Sequence, residues 1–196
     1  MTNSAFGAER ADELLFALGE QLAAASQQFD LVVIGGSALL ALGLVERATR
    51  DVDVLALAGA EGLIPADPLP EALAEARDRV AQDFGLPAGW LNPGPTELLR
   101  FGLPDGFLSR VETRTYGPAL TVLYAGRLDQ VHFKLYAMVD QGAGRHEADL
   151  RALEPTREEL LSAARWTRTH DPSEGFRQEL VAVLAHLGVT DADLDA

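Results

Sequence analysis

Near the start of the chain Leu14, Leu15, Leu18 and Leu22 recur at helical spacing beside Glu9, Asp12, Glu13 and Glu20, which predicts an amphipathic helix over residues 8–25. The pattern then changes. Residues 29–34, FDLVVI, form a short β-branched apolar run closed by two glycines, which fits a buried strand better than a helix. Ser37 is placed to cap a helix over 38–44, and DVDVLAL at 51–57 predicts a second strand. Residues 59–70 are rich in Gly and Pro and read as a loop, after which 71–84 return to helical spacing. Between Gly85 and Gly106 four prolines and five glycines predict a long ordered loop with room for one short helix.

The second half of the pattern turns helical. Residues 107–116 and 119–124, joined by Gly117-Pro118, read as two strands meeting at a tight turn. Residues 128–139 predict a helix stopped by Gly142 and Gly144, and Asp149 falls in a further short helix that Pro155 ends. Thr156 with Glu159 is a capping-box signature for a helix to about residue 169, and Ser173 opens a last helix ending at Gly188. The sum is an α/β (α+β) layout: a small mixed β-sheet flanked by helices over 1–125, then a helical third over 126–196 packed on it as one compact unit.

Two sets of residues in this frame carry chemistry. Strand alternation turns Asp51 and Asp53 to one side and Val52 and Val54 to the core, giving two carboxylates on a rigid support. Such neighbours repel unless a divalent cation holds both ionised, and without one they are simply surface aspartates on an exposed strand face. Gly35-Gly36-Ser37, between a buried strand and a helix, suits an anion such as phosphate as well as it suits a plain turn. GGSALLALG has neither the G-x-G-x-x-G spacing nor a following G-K-[ST], so the common dinucleotide and P-loop readings fall away.

The order strand, Gly-Gly-Ser, helix, Asp-x-Asp resembles the polymerase-β-like nucleotidyltransferase superfamily, with Ser37 and Asp51 separated by thirteen residues. VIGGSALLALGLVERATRDVDVL is similar to the bacterial group that includes the abortive-infection nucleotidyltransferase toxins and their uncharacterised relatives; the likeness spans residues 31–57. It implies a nucleotidyltransferase fold and transfer of a nucleoside monophosphate from a nucleoside triphosphate to an acceptor hydroxyl on RNA, protein or a small molecule. It implies Mg2+ (or Mn2+) at Asp51 and Asp53. The third carboxylate that this group commonly places on a later strand has Glu112 as its nearest candidate. Gly35, Gly36, Ser37, Arg50 and Lys134 become the nucleotide-binding residues, and Lys134 and Asp149 join Asp51 and Asp53 as catalytic ones. Without the resemblance, Lys134 reads as a solvated helix charge, Asp149 as a helix-surface residue, and Arg47 as an ion-pair partner of Glu46 or the aspartates.

Composition narrows these readings. With 16 Lys and Arg against 30 Asp and Glu, the net charge of -14 disfavours a broad sequence-blind nucleic-acid surface but not a local nucleotide pocket. There is no Cys, and His132, His146, His170 and His186 form no zinc-type pair, which leaves a metal-dependent hydrolase with few ligands to recruit. No segment approaches the ~20 apolar residues of a membrane span, so the expected compartment is the cytoplasm. The competing expectation is a catalytically inactive relative, a nucleotide-binding antitoxin or regulatory module paired with a cognate toxin, just as an active chain would pair with an antitoxin protein.

Overall fold

A computed structural model describes residues 5–190 and Leu194. The chain divides into two units, Met1–Leu103 with Leu108–Ala125, and Pro104–Phe107 with Gly126–Ala196.

In the first unit α1 (Ala8–Ala24) buries Leu14, Leu15, Leu18 and Leu22, the stripe that the sequence pattern marks. Strand β1 (Phe29–Ile34) leads into α2 (Gly35–Ala41), followed by β2 (Val52–Gly59), β3 (Gly62–Pro65), α3 (Glu71–Phe84), β4 (Leu91–Asn92), β5 (Glu112–Thr115) and β6 (Leu120–Tyr124). The sheet runs β3-β2-β1-β6-β5, with β4 beside β2. β1 lies antiparallel to β2 and parallel to β6, and α2 packs against both β1 and β2. The two strands around the glycines and aspartates are therefore neighbours in one sheet.

Several boundaries differ from the sequence reading. The segment read as a loop over 59–70 contains β3, because Gly59 and Gly62 pair across a two-residue hairpin turn that permits Gly62 a φ of 120°. The irregular stretch over 85–106 holds β4 and the 3-10 turns Ala88–Trp90 and Gly94–Phe101. Only Glu112–Thr115 of the long strand read over 107–116 pairs with β6; Phe107–Ser109 is a 3-10 turn. Helix α2 begins at Gly35 itself, so Ser37 lies inside it and caps nothing.

A bulge shapes β2. Val33 pairs with Val54 while Val32 pairs with Ala56, so Leu55 is an extra residue without a cross-strand partner on β1. Its carbonyl would be an orphan in a core position; the Thr96 hydroxyl donates to it at 2.8 Å and accepts the Ala66 N–H at 2.8 Å. Thr96 thereby ties the Gly94–Phe101 turn to β2. Deeper in the unit the Tyr116 hydroxyl donates to Asp12 Oδ1 at 2.7 Å and pairs with the Tyr124 hydroxyl at 2.7 Å; burial pushes Tyr116 up to about 12.

The second unit is built on α4 (Arg127–Gln141), against which α5 (Gly144–Ala152), α6 (Arg157–His170) and α7 (Glu174–His186) pack. From Asp129 to Leu135 every side chain of α4 is buried, the behaviour of a central helix rather than a surface one. The expected capping box forms: the Glu159 N–H donates to Thr156 Oγ1 at 3.2 Å and the Thr156 N–H to Glu159 Oε2 at 2.9 Å. Glu159 also takes both Arg127 terminal nitrogens, at 2.7 and 2.9 Å, joining the start of α4 to the start of α6. Thr156→Ala should lower stability by about 1 kcal/mol in urea unfolding, the usual effect of losing such a cap; an unchanged midpoint would show that Arg127 alone fixes this helix start.

Candidate functional site

The loop from α2 to β2 sets the site. Thr49 pairs through its backbone with Phe6, at 2.7 and 3.0 Å, so the N-terminal strap holds the loop two residues before Asp51. The Thr49 hydroxyl, itself buried, donates to the Asp51 carbonyl at 3.3 Å. Asp51 stands just before β2 and Asp53 within it, both half-buried, while Val52 and Val54 are fully buried on the opposite face. Alternation thus turns the two carboxylates the same way, as the sequence indicates.

Asp53 pairs in register with Ile34, the last residue before the glycines. A Cβ added at Gly35 would run into Asp53 Oδ2, and Gly35 has a φ of 73°, in the left-handed region. Glycine is therefore required here on two counts. A Cβ at Gly36 would lie 2.8 Å from Thr49 Oγ1 and 3.4 Å from an Arg47 terminal nitrogen. These two glycines let a carboxylate, a hydroxyl and a guanidinium crowd onto one turn.

Ser37 completes the turn in an unexpected way. Its residue is 3% exposed and its hydroxyl has no hydrogen-bond partner. A buried hydroxyl without a partner is unfavourable by about 1–3 kcal/mol, and such a group in a native fold calls for an explanation, a catalytic role or a bound ion among them. Phosphate oxygens fit that requirement. The donor set also fits a hard divalent cation, because Mg2+ takes one or two carboxylates and completes its shell from phosphates and water.

Not every expected residue joins this cluster. Glu112 is on β5, and the row Asp53, Ile34, then Val33, Tyr124 and Glu112 crosses three strand spacings, about 14 Å, so Glu112 does not complete the pair. Among the described residues no group of three or more His, Asp or Glu side chains is placed to hold a metal ion. Arg50 is exposed on the loop before Asp51. Arg47 donates to the Ala48 carbonyl at 3.2 Å, and one of its terminal nitrogens stands beside Gly36.

Lys134 and Asp149 meet each other inside the helical unit, Nζ to Oδ2 at 2.8 Å, with side chains 6% and 1% exposed. Their reading as solvated surface charges is wrong, because α4 is covered along this stretch and a charge there must be paired.

Two residues at the aspartates escaped the sequence reading. Thr49 offered no signal beyond its place two residues before Asp51. Asn92 on β4 pairs in register with Asp53, and its amide donates to Asp53 Oδ1 at 2.9 Å. Its own oxygen accepts the Gly94 N–H at 3.0 Å. The text Asn92-Pro93-Gly94 is a turn signal, and nothing in it points to a strand partner for Asp53.

No helix among the described residues is long and apolar enough to cross a membrane. A family model described as a nucleotidyltransferase of unknown function (DUF6036) matches residues 13–142, about two thirds of the 196-residue chain. No curated protein matches the chain, and no solved structure does.

Proposed function

The chain belongs to the DUF6036 family of nucleotidyltransferases of unknown function, and from that premise we propose that it moves a nucleoside monophosphate from a nucleoside triphosphate to an acceptor hydroxyl, with Mg2+ or Mn2+ held by Asp51 and Asp53. The observation that carries this reading is the partnerless buried hydroxyl of Ser37 on the glycine turn that Asp53 packs against. When bound, the cation lowers the charge on the phosphates and favours the ionised acceptor oxygen. Gly35 and Gly36 leave room for the phosphates at the turn, and Ser37 donates its hydroxyl to a phosphate oxygen. Arg47 and Arg50 offset the remaining phosphate charge. The acceptor oxygen bonds to the α-phosphorus as the bond to the pyrophosphate oxygen breaks, and the acceptor's proton leaves to a carboxylate or water. Lys134 and Asp149 neutralise each other and enter no step of this reading.

A second reading is a nucleotide-binding module without transfer activity, serving as an antitoxin or regulatory partner. It is favoured by Asn92, a neutral amide where a carboxylate facing Asp53 would have completed a three-ligand set. A role as the toxin of a toxin-antitoxin or phage-defence pair, in the cytoplasm, goes with the first reading. Given a net charge of -14, the acceptor is more readily a protein or small molecule than a long RNA.

The test combines label transfer with thermal shifts. Incubation with α-labelled triphosphates and Mn2+ should label an acceptor in an extract of the host. Mn2+ with a non-hydrolysable triphosphate at about one hundred times Kd should stabilise the protein by about 2.7 kcal/mol, because the ligand binds only the folded state. Asp53→Asn should abolish most of that shift. Equal shifts in the two proteins would remove the aspartates from the site, and a shift without label transfer would favour the second reading.

A further inference from the structure

We infer that Asn92 is a positioning residue that fixes the Asp53 carboxylate and limits the anionic ligands to two, so that a divalent cation binds tightly only together with nucleotide phosphates. This rests on the reading of Asp51 and Asp53 as the cation-holding pair.

A strand of two residues has no stability of its own, and β4 exists because the chain on either side is fastened. Leu91 is fully buried and pairs with Val52, which sets Asn92 opposite Asp53. Upstream, the Trp90 indole donates to the Arg77 carbonyl at 3.1 Å; downstream, Thr96 is tied to the β2 bulge. The side chain of Asn92 is then oriented by both its polar atoms. Its oxygen accepts the Gly94 N–H, so its NH2 must face Asp53 Oδ1. Asp53 has one oxygen held by that amide and the other against Gly35. The amide thus fixes one oxygen of the carboxylate, and the other lies where any side chain at position 35 would stand.

The choice of amide has a chemical consequence. An aspartate at position 92 could keep the Gly94 contact through one oxygen, but its other oxygen would face Asp53 Oδ1 at about the present 2.9 Å. Two anionic oxygens so close repel unless a divalent cation lies between them. Cation affinity at oxygen sites rises with the number of charged ligands. Asparagine supplies orientation without charge, leaving the rest of the cation's shell to phosphates and water.

The experiment is a calorimetric titration of the full chain with Mn2+, with and without a non-hydrolysable triphosphate, for wild type, Asn92→Asp and Asn92→Ala. Asn92→Asp should bind Mn2+ alone about tenfold more tightly than wild type, through the added charge. Asn92→Ala should gain nothing toward Mn2+ alone and should bind Mn2+ with the triphosphate about tenfold more weakly, as when an outer-shell partner is deleted. Circular dichroism melts without metal establish that each variant folds; should Asn92→Asp fail to fold, the half-buried Asn92→Ala decides alone. A folded Asn92→Asp that matches wild type toward Mn2+, or an Asn92→Ala that matches it with the triphosphate, overturns the assignment. If wild type responds to Mn2+ and triphosphate while both variants respond equally, Asn92 has no such role and the transfer reading stands. If wild type responds to neither while Asn92→Asp gains Mn2+ affinity, the transfer reading fails and the control of ligand number by Asn92 survives.

Discussion

Lys134→Met should destabilise the helical unit by about 3 kcal/mol, because it removes the ammonium from a carboxylate that is 1% exposed. For a chain of this length that corresponds to a fall in Tm of roughly 6–12 °C. The pair joins α4 to α5, so the loss should register as helix melting rather than as a local change at the strands. Asp149→Asn should have a comparable effect from the other side. The double variant Lys134→Met with Asp149→Leu should recover most of the loss, since replacing a buried ion pair by apolar groups is often neutral. Single variants that lose less than about 1 kcal/mol would mean that the pair behaves like an exposed one.

The Lys134–Asp149 pair also shows where sequence reading reaches its limit. Periodicity placed the helices well: α1 and α3 each begin at the residue expected from the sequence, and the Thr156–Glu159 box starts α6 as expected. Helical spacing assigns charges to solvent by default, and nothing local says that α4 would be covered on every side from Asp129 to Leu135. β1 was legible because five apolar residues, three of them β-branched, followed by two glycines are local information. β3 and β4 were not, since each owes its existence to β2: one to a two-residue turn, the other to a single buried leucine beside an oriented amide. The aspartate pair and the glycine turn were readable as residue types, whereas the residues that hold them, Thr49, Asn92 and Thr96, act through contacts that cross between 2 and 41 positions of sequence.

Gly35→Ala should eliminate the stabilisation by Mn2+ and triphosphate while leaving the protein folded. Two costs are separable here. A non-glycine residue at a φ of 73° is unfavourable by roughly 1–2 kcal/mol, whatever surrounds it. The new methyl would also meet Asp53 Oδ2, and Asp53 cannot swing away without breaking its bond from Asn92. Gly43 provides the control, because its φ is 68° and a Cβ there meets nothing within 4 Å. Gly43→Ala should therefore lose about 1 kcal/mol in urea unfolding and keep its full response to Mn2+ with triphosphate. Gly35→Ala should lose more stability than Gly43→Ala and lose the ligand response as completely as Asp53→Asn does. Matching behaviour of the two glycine variants would show that Gly35 serves only the backbone turn, and that the approach of Asp53 to it has no part in binding.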